Sequence, residues 1–444
     1  MIDGYLISFT GEGSTLDRLA FSKAAFYNQG MVRPLHIKNA RVWNGREAEI
    51  RDLYTTDVVV EKPPHDALEI DLEGYTIFPG LINAHDHLEL NHYPRSKFRE
   101  VYNNAHEWGE DMNARLDTEP YKSLRAYPLW DRLFIGGLKN LLCGATTVAH
   151  HNPPHKELFR KDFPVRVLGK YGWAHSLHFN TDEEIVASYR STPKDVPWFI
   201  HLAEGTDEVA AGEYRRLKAL GCVGKNTVIV HGVGLRKPGQ PYPVSPEIST
   251  DLVADDVRGI VWCPTSNLYL LGKTLIDEHN NHFSPVVNSM GLGSDSRLTS
   301  DGDLLDELRV ALRQFGDGWA NFVVNLVFYD GGFVLFHRSE RDWIFGQQQV
   351  DLVIIATAHD DAIALCNSRR ADLALVVKGG VPQIGDPAVM AKFPHIQTVP
   401  AILDGRPKAI HIALAKRILQ CKLKERGLEV DAPPKGRRFV FRGI

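Results

Sequence analysis

Hydrophobic and polar residues change their spacing twice along the chain. In residues 35–76, β-branched residues alternate with polar ones in short segments that are separated by turns. A period of two is typical of half-buried β-strands. The same spacing returns in residues 371–381 and 399–410, each with a glycine turn. The pattern predicts a small β-sandwich domain built from both ends of the chain.

Between these ends, short apolar segments alternate with amphipathic ones. Apolar residues recur three and four apart, as in a helix, for example in residues 207–221 and 303–315. Such alternation is expected where parallel strands are joined by crossover helices. Eight segments are candidate strands: residues 77–84, 145–150, 165–168, 173–179, 198–203, 227–230, 260–263 and 290–294. The expected fold class is therefore α/β, a (β/α)8 TIM-like barrel beside the small β-sandwich domain.

The same pattern predicts where these units begin and end. We expect the N-terminal part of the β-sandwich in residues 1–76, the barrel in 77–358, and the C-terminal part with a tail in 359–444. The third and fourth candidate strands lie too close together for a full helix between them. The aromatic-rich segment 316–349 fits neither period, so it is either a loop above the functional site or a buried helical connection.

Composition narrows the choice of partners. The formal net charge is −4, with 51 basic and 55 acidic residues interspersed, so no basic surface for nucleic acid is expected. No segment approaches the roughly 18 charge-free apolar residues that a membrane span needs. The N-terminus is acidic where a signal peptide is basic, and the five cysteines are widely spaced. We expect a cytoplasmic protein with a small-molecule substrate and no nucleic-acid or membrane partner, with homo-oligomerisation left open.

Two histidines stand at the end of the first candidate strand, in the segment PGLINAHDHLEL. The triplet H-x-H carries little weight alone, because 19 histidines in 444 residues give about one such triplet by chance. On a strand, however, side chains two residues apart share a face, so His85 and His87 can converge on one ion. A core or surface role for the pair stays open at this point.

Three further candidate strands end in polar groups. The segment WFIHLAEG contains His201 and Glu204, VIVHG contains His231, and GLGSDS contains Asp295. In a parallel barrel every strand opens at its carboxyl end onto one face, which brings such residues into one cavity. Independent placement of polar groups at four strand ends would be an unusual coincidence. The strand ends therefore predict a metal-binding site.

These motifs resemble those of the amidohydrolase superfamily, within it the branch of cytosine deaminases, adenosine-type deaminases and triazine hydrolases. PGLINAHDHL resembles the signature of the first strand, HLAE that of the fifth and VHG that of the sixth. VWCPTSNLYL, GLGSDS and DLLDELR resemble the region around strands seven and eight, and DGRPKAI resembles the closing strand. The likeness covers most of the chain and implies a metal-dependent hydrolase acting on carbon–nitrogen bonds other than peptide bonds.

The resemblance also implies roles for individual residues. One divalent ion, zinc first with iron and manganese as alternatives, would be bound by His85, His87, His201 and Asp295. Asp295 would also take a proton as metal-bound hydroxide attacks, Glu204 would protonate the substrate, and His231 would stabilise the developing oxygen. Because positions 201 and 204 differ by three, Glu204 can turn inward only if the strand ends near Ala203. A ligand or packing role for His231 stays open, as does a binuclear site with a carbamylated Lys170.

The implied reaction is the hydrolytic deamination of an aminated N-heterocycle. His92, Trp108 and His178 are candidate substrate-binding residues because they lie in loops above the expected cavity, although a surface role is equally open. Hydrolysis of a cyclic amide, of another carbon–nitrogen bond or of a carbon–halogen bond is the alternative, and a non-catalytic scaffold is the second alternative. The other zinc deaminase motif, H-x-E with P-C-x-x-C, does not occur, nor does the serine motif G-x-S-x-G.

Overall fold

The architecture is α/β, with parallel strands at its centre and two further sheets beside them. The computed structural model describes residues 32–235, 256–276, 289–300, 302–336 and 350–433. Predictions for residues 1–31, 337–349 and 434–444 lie outside these ranges. In chain order the strands are β1 Leu35–Lys38, β2 Arg41–Trp43, β3 Ala48–Ile50, β4 Leu53–Thr55, β5 Val59–Val60, β6 Leu68–Asp71, β7 Tyr75–Pro79, β8 Leu81–Asp86, β9 Ala145–His150, β10 Arg166–Val167, β11 Gly172–Ser176, β12 Trp198–Leu202, β13 Thr227–His231, β14 Gly259–Trp262, β15 Met290–Leu292, β16 Leu352–Ala356, β17 Leu375–Lys378, β18 Val381–Gly385, β19 Thr398–Leu403, β20 Arg406–His411 and β21 Leu428–Val430.

The eight predicted central strands correspond to β8 to β15. They pair in parallel in two sheets, one of order β10-β9-β8 and one running from β11 to β15. A single buried apolar cluster, which includes Ile82, Phe199 and Val228, is shared by strands of both sheets. Hydrogen bonds also link the two sheets, from Asp295 N to His85 O at 3.1 Å and between the side chain of His151, just after β9, and Ala174 O of β11 at 3.0 Å. Strands of both sheets therefore pack on one shared core.

The first central strand differs from the predicted one. The segment 77–84 contains the end of β7 and the start of β8, and the two strands belong to different sheets. β7 pairs antiparallel with β16, whereas β8 pairs in parallel with β9. Gly80 separates them, and a Cβ at this position would lie 2.2 Å from Thr146 Oγ1. The prediction of one strand was wrong because an apolar pattern cannot show that the chain crosses from one sheet to another at a glycine.

Helices connect most of the central strands. They are α1 Ala105–Asn113, α2 Tyr121–Arg125, α3 Leu129–Leu142, α4 Asp182–Ser191, α5 Glu208–Ala219, α6 Pro264–Leu271, α7 Leu304–Phe315, α8 Ala320–Asn325, α9 Tyr329–Phe336, α10 Asp361–Asn367, α11 Pro387–Met390 and α12 Ile412–Gln420. Helices α5 and α7 correspond to the two amphipathic segments predicted at residues 207–221 and 303–315. They begin after Asp207 and Asp303, whose carboxylates accept hydrogen bonds from backbone N–H groups of the first turn. Residues 168–171, between β10 and β11, contain no helix, as their short spacing predicts.

Strands from both chain ends share one sheet. Its order is β21-β19-β20-β18-β17-β16-β7-β2-β3, so β7 lies directly beside β16. Most of β7 and all of β16 fall inside the range 77–358 that was predicted for the barrel. A separate sheet, of order β5-β4-β1-β6, packs against it. The two sheets share a buried apolar cluster that includes Ile37, Val42 and Ile354. Both regions therefore contribute to one core, as their similar alternation suggests.

The described part of the segment 316–349 is a buried helical connection, one of the two alternatives that the sequence left open. Leu326 O and Val327 O accept hydrogen bonds from Leu292 N of β15 and Ile82 N of β8. Val334 of α9 lies in the apolar cluster of the central strands. By length and composition alone, Asp317–Phe336 could cross a membrane, with a mean hydropathy of 1.3, but 56% of it is buried inside the fold. Such burial is typical of a core helix.

Candidate metal centre

Four side chains converge at the carboxyl ends of β8, β12 and β15. His201 Nε2 lies 3.2 Å from His87 Nε2 and 3.4 Å from His85 Nε2. Asp295 Oδ1 lies 3.8 Å and 3.9 Å from the same two nitrogens. Nitrogen donors about 2.0–2.1 Å from one tetrahedral zinc ion are roughly 3.3 Å apart. The imidazole distances therefore fit a divalent ion, and Asp295 forms a further candidate ligand group with His85 and His231.

The path of β8 brings both histidines to the same side. The register of β8 against β9 shifts between Asn83 and Asp86, so Ala84 packs in the inner apolar cluster while His85 also faces the centre. The neighbouring strand must come close for this arrangement. A Cβ on Gly293 would lie 2.7 Å from the Cβ of His85, so only glycine fits at that position of GLGSDS.

Three strand ends share an uncommon backbone conformation. Ala203, His231 and Asp295 have φ values of +54°, +74° and +50°. Non-glycine residues adopt the left-handed region rarely and at a cost, and such residues cluster at functional sites. The turn at Ala203 directly precedes Glu204, and the other two fall on His231 and Asp295 themselves, so all three polar groups stand at such turns.

Glu204 faces the centre because of the turn at Ala203. β12 ends at Leu202, and the left-handed residue that follows reverses the direction that strand alternation would give Glu204. Its Oε2 lies 3.4 Å from His231 Nε2, and 12% of its side chain is exposed. Burial, and after it the charges of Asp295 and Glu213, raise the pKa of Glu204 well above its usual value. Burial therefore favours the protonated form of the Glu204 carboxyl group.

His231 is held in one tautomer. Asn267 Nδ2 lies 2.9 Å from His231 Nδ1, and because an amide NH2 group can only donate, Nδ1 is the acceptor. Burial is the main cause that lowers the pKa of His231 to about 4. The neutral ring then carries its hydrogen on Nε2, which faces Glu204. This tautomer favours a hydrogen-bond donor over a metal ligand at this position.

Asp295 is ionised and held by hydroxyl groups. Its Oδ2 accepts hydrogen bonds of 2.8 Å from Ser266 Oγ and from Thr299 Oγ1. Burial acts to raise the pKa of Asp295, but the neighbouring His87 and His231, together with these hydrogen bonds, outweigh it and lower the pKa. The free Oδ1 is thus a carboxylate oxygen beside the imidazole nitrogens.

Burial favours the neutral form of His85 and His201, which is the form that binds metals. Burial first, and then the neighbouring histidine rings, lower the pKa values of His85 and His201 well below the usual value. The hydrogen bond of 2.8 Å between His201 Nδ1 and the backbone oxygen of His175 fixes the tautomer, because a carbonyl only accepts. His201 Nε2 therefore presents a lone pair to the centre.

A buried ion pair lies on the far side of β8. Lys139 Nζ of α3 lies 3.0 Å from Asp86 Oδ2, and both side chains are fully buried. The ammonium group also donates to Asn91 Oδ1 and to the backbone oxygen of Asp295, at 2.8 Å and 3.2 Å. Asp86, which lies between the two histidines in sequence, thus anchors β8 and links it to the strand end that carries Asp295.

Comparison with solved structures identifies the fold. The chain is similar to an adenosine deaminase from Xanthomonas campestris with bound zinc, with a TM-score of 0.58 and 16% identity over 80% of this chain and 93% of that one. It is similar to an atrazine chlorohydrolase from Arthrobacter aurescens TC1 complexed with zinc, with a TM-score of 0.60 and 16% identity over 81% and 99%. An aminofutalosine deaminase from Helicobacter pylori gives a TM-score of 0.51 and 13% identity over 79% and 99%. The chain has the amidohydrolase fold. No protein-family model and no curated protein sequence matches it.

The amidohydrolase fold brings together the six residues that the strand ends singled out. The candidate substrate residues make the following contacts. His92 contacts Leu124 O at 2.9 Å and stacks near Tyr93, and the Trp108 indole donates to Ser96 O. His178 lies 2.9 Å from Glu110 Oε1 and stacks on His106. Lys170 is exposed between β10 and β11.

Sequence reasoning gave no specific role to several groups that surround the centre. They are His151, His175, Glu213 and Asn267, all of which contact a residue of the centre or of the turn at Ala203. The double histidine at the end of β9 was the available signal for His151. Glu213 and Asn267 lie inside helices and have no local pattern that marks them.

Proposed function

We propose that this amidohydrolase-fold protein is a metal-dependent hydrolase that deaminates an aminated N-heterocycle. The observation that carries the proposal is the position of Glu204, a largely buried carboxyl group 3.4 Å from His231 and beside the metal-binding side chains. An aromatic amine leaves only if the ring or the amine is protonated as water attacks. Because burial raises the pKa of Glu204, its carboxyl group can carry the proton that this step needs.

In this proposal His85, His87, His201 and Asp295 hold one divalent ion. When bound, such an ion acts as a Lewis acid and lowers the pKa of water from 15.7 toward about 7. Zinc suits three imidazoles and one carboxylate, and iron or manganese can replace it. The zinc that accompanies two of the similar structures supports the same choice.

The side chains around the ion divide the proton transfers between them. Asp295, kept ionised by its hydroxyl partners, takes a proton from the attacking water. Glu204 gives its proton to the heterocycle, and the Nε2–H group of His231 donates a hydrogen bond to the oxygen that develops negative charge. After water has added to the ring carbon, Asp295 passes the proton it took to the amino group and Glu204 takes a proton back from the new hydroxyl group. The carbon–nitrogen bond then breaks, and the products are the oxo-heterocycle and ammonia.

The similar structures include both deaminases and a chlorohydrolase, which supports a second candidate. Loss of chloride from a triazine also needs attack by water on a ring carbon, and protonation of a ring nitrogen by Glu204 would assist it. The two reactions differ in the leaving group, so their products distinguish them. Hydrolysis of a cyclic amide remains the third possibility for the same residues.

Two features of the architecture are also proposals. We propose that β8 to β15 form one (β/α)8 barrel, and that the two sheets at the chain ends form a β-sandwich beside it. The domain limits at residues 76 and 358 stay predictions, as do a cytoplasmic location, the oligomeric state, and a substrate-binding role for His92, Trp108 and His178. The five cysteines are all buried free thiols, which fits a reducing compartment.

Ammonia release across a panel of substrates tests the function. The panel contains aminopyrimidines, aminopurines, aminotriazines and pterins. Chlorotriazines and cyclic amides are included to test the two alternative reactions. We expect ammonia from at least one aminated heterocycle and a loss of about 100- to 10,000-fold in kcat/KM for Glu204→Gln. The exposed Glu183→Gln is the matched control and should retain wild-type activity. Chloride release or ring opening without ammonia would overturn deamination.

A further inference from the structure

His151 follows β9 directly and is buried. Its Nε2 lies 3.0 Å from the backbone oxygen of Ala174. Because a carbonyl oxygen only accepts, Nε2 carries the hydrogen and Nδ1 carries the lone pair. Within the described parts of the chain, this buried Nδ1 has no hydrogen-bond partner. A buried acceptor without a donor is uncommon in folded proteins and indicates a missing partner.

His151 lies close to the three histidines of the candidate metal centre. One ring nitrogen from each of His85, His87, His151 and His201 lies within 4.8 Å of the other three. Two donors on opposite sides of one ion are about 4.2 Å apart when each bond is about 2.1 Å. A pair at the 4.8 Å limit would thus have to close by about 0.6 Å for all four nitrogens to share a single ion. In His151 the nitrogen that is free to bind is Nδ1.

The same strand orients His151 and His201. Consecutive backbone carbonyls of β11, those of Ala174 and His175, contact His151 Nε2 and His201 Nδ1 respectively. The two rings stack with their centroids 4.2 Å apart and their planes at 21°. A carbonyl that fixes the tautomer of an imidazole is the usual support for a metal-binding histidine. His151 has this support, and its ring is nearly parallel to that of His201.

We propose that His151 Nδ1 is a fourth imidazole ligand, which gives the ion the donors His85, His87, His151, His201 and Asp295. The inference rests on the proposed function only in that both need a divalent ion at this centre. It assigns a metal-binding role to the end of β9, in addition to the ends of β8, β12 and β15.

X-ray absorption spectroscopy of the purified holoprotein tests this inference directly. The multiple-scattering features of zinc-loaded protein report how many imidazoles surround the ion. We expect four in the wild type and three in His151→Leu. His150→Leu is the matched control, because His150 is the preceding residue, is equally buried and faces away, with its Nδ1 accepting from Leu88 N at 3.4 Å. This variant should keep four imidazoles.

Release of zinc to a chelator provides a second measurement. We expect His151→Leu to lose zinc at least about tenfold faster than the wild type and His150→Leu, because one direct ligand is missing. Circular dichroism establishes that each variant is folded, and the wild-type spectrum decides the question even if His151→Leu does not fold.

The outcomes separate this inference from the proposed function. Three imidazoles around zinc in the wild type, or unchanged spectra and release rates in His151→Leu, would overturn the role of His151 and leave the hydrolase proposal intact. A wild-type protein that binds no divalent ion after reconstitution would overturn both.

Discussion

The backbone N–H group of Ala203 donates a hydrogen bond of 2.6 Å to Glu213 Oε2. Ala203 is the left-handed residue that turns Glu204 toward the metal centre, and Glu213 belongs to α5, one helix further along the chain. The other carboxylate oxygen of Glu213 lies 3.0 Å from His106 Nε2. A buried carboxylate therefore holds the strand end that presents Glu204, the proposed catalytic acid.

Replacement of Glu213 tests this support. In Glu213→Leu the N–H group of Ala203 loses its acceptor, and we expect a loss of about 1–3 kcal/mol in the free energy of unfolding. Activity should fall with it, because Glu204 is no longer held. Glu213→Gln keeps an acceptor oxygen and should retain most activity. Urea unfolding and steady-state kinetics measure both effects. Equal losses in the two variants would show that the charge, and not the acceptor, matters.

The buried pair of Lys139 and Asp86 gives a second prediction. Lys139→Met leaves a buried carboxylate without its counter-charge, so the free energy of unfolding should fall by about 3–5 kcal/mol. Addition of Asp86→Asn removes the uncompensated charge and should restore part of this loss. Lys122→Met, at an exposed position of α2, is the control and should be close to neutral. If the double variant is less stable than Lys139→Met, the pair does not act as proposed.

Glu307 makes stability depend on pH. Burial is the main cause that raises the pKa of Glu307 to about 8, against hydrogen bonds from Thr265 and Ser300. Its usual pKa is 4.5, so the folded state binds the proton more tightly than the unfolded state. The stabilising contribution is complete below about pH 4.5 and disappears as the pH rises through about 8.

The comparison with Glu307→Gln isolates this effect. The variant keeps the oxygen that faces Thr265 and cannot ionise. The Tm of Glu307→Gln minus that of the wild type should be larger at pH 9 than at pH 5, measured by circular dichroism in the same buffer series. A difference that does not change with pH would rule out ionisation of Glu307 in this range.

A bound ion should stabilise the folded protein through mass action. At a free zinc concentration of about 100 times Kd, the free energy of unfolding should rise by about 2.7 kcal/mol, and a chelator should reverse it. His87→Ala should abolish most of the zinc-dependent rise in Tm. His178→Ala, which removes a partly exposed ring outside the set of metal-binding side chains, should keep it. An unchanged Tm of the wild type with zinc would contradict the metal centre.

The strand ends were the most predictable part of the site. Alternation on a strand and the common direction of parallel strands are local rules, and they suffice to bring His85, His201 and Asp295 to one end of the fold. The turn that Glu204 requires at Ala203 was also foreseeable, because the spacing of three residues demands it. The loop residues His92 and Trp108 were less predictable, because loop conformation depends on contacts that no local period encodes.

By itself the sequence determined the α/β class, the central strands and the polar groups at their ends, because these depend on periodicity and on the types of residue that follow each strand. Only the tertiary structure decided that the chain leaves one sheet at Gly80, that Glu213 supports the turn at Ala203, and that a ring nitrogen of His151 lies within 4.8 Å of those of His85, His87 and His201. These relationships join residues of different elements, and they depend on packing distances and hydrogen-bond geometry that no single segment of sequence contains.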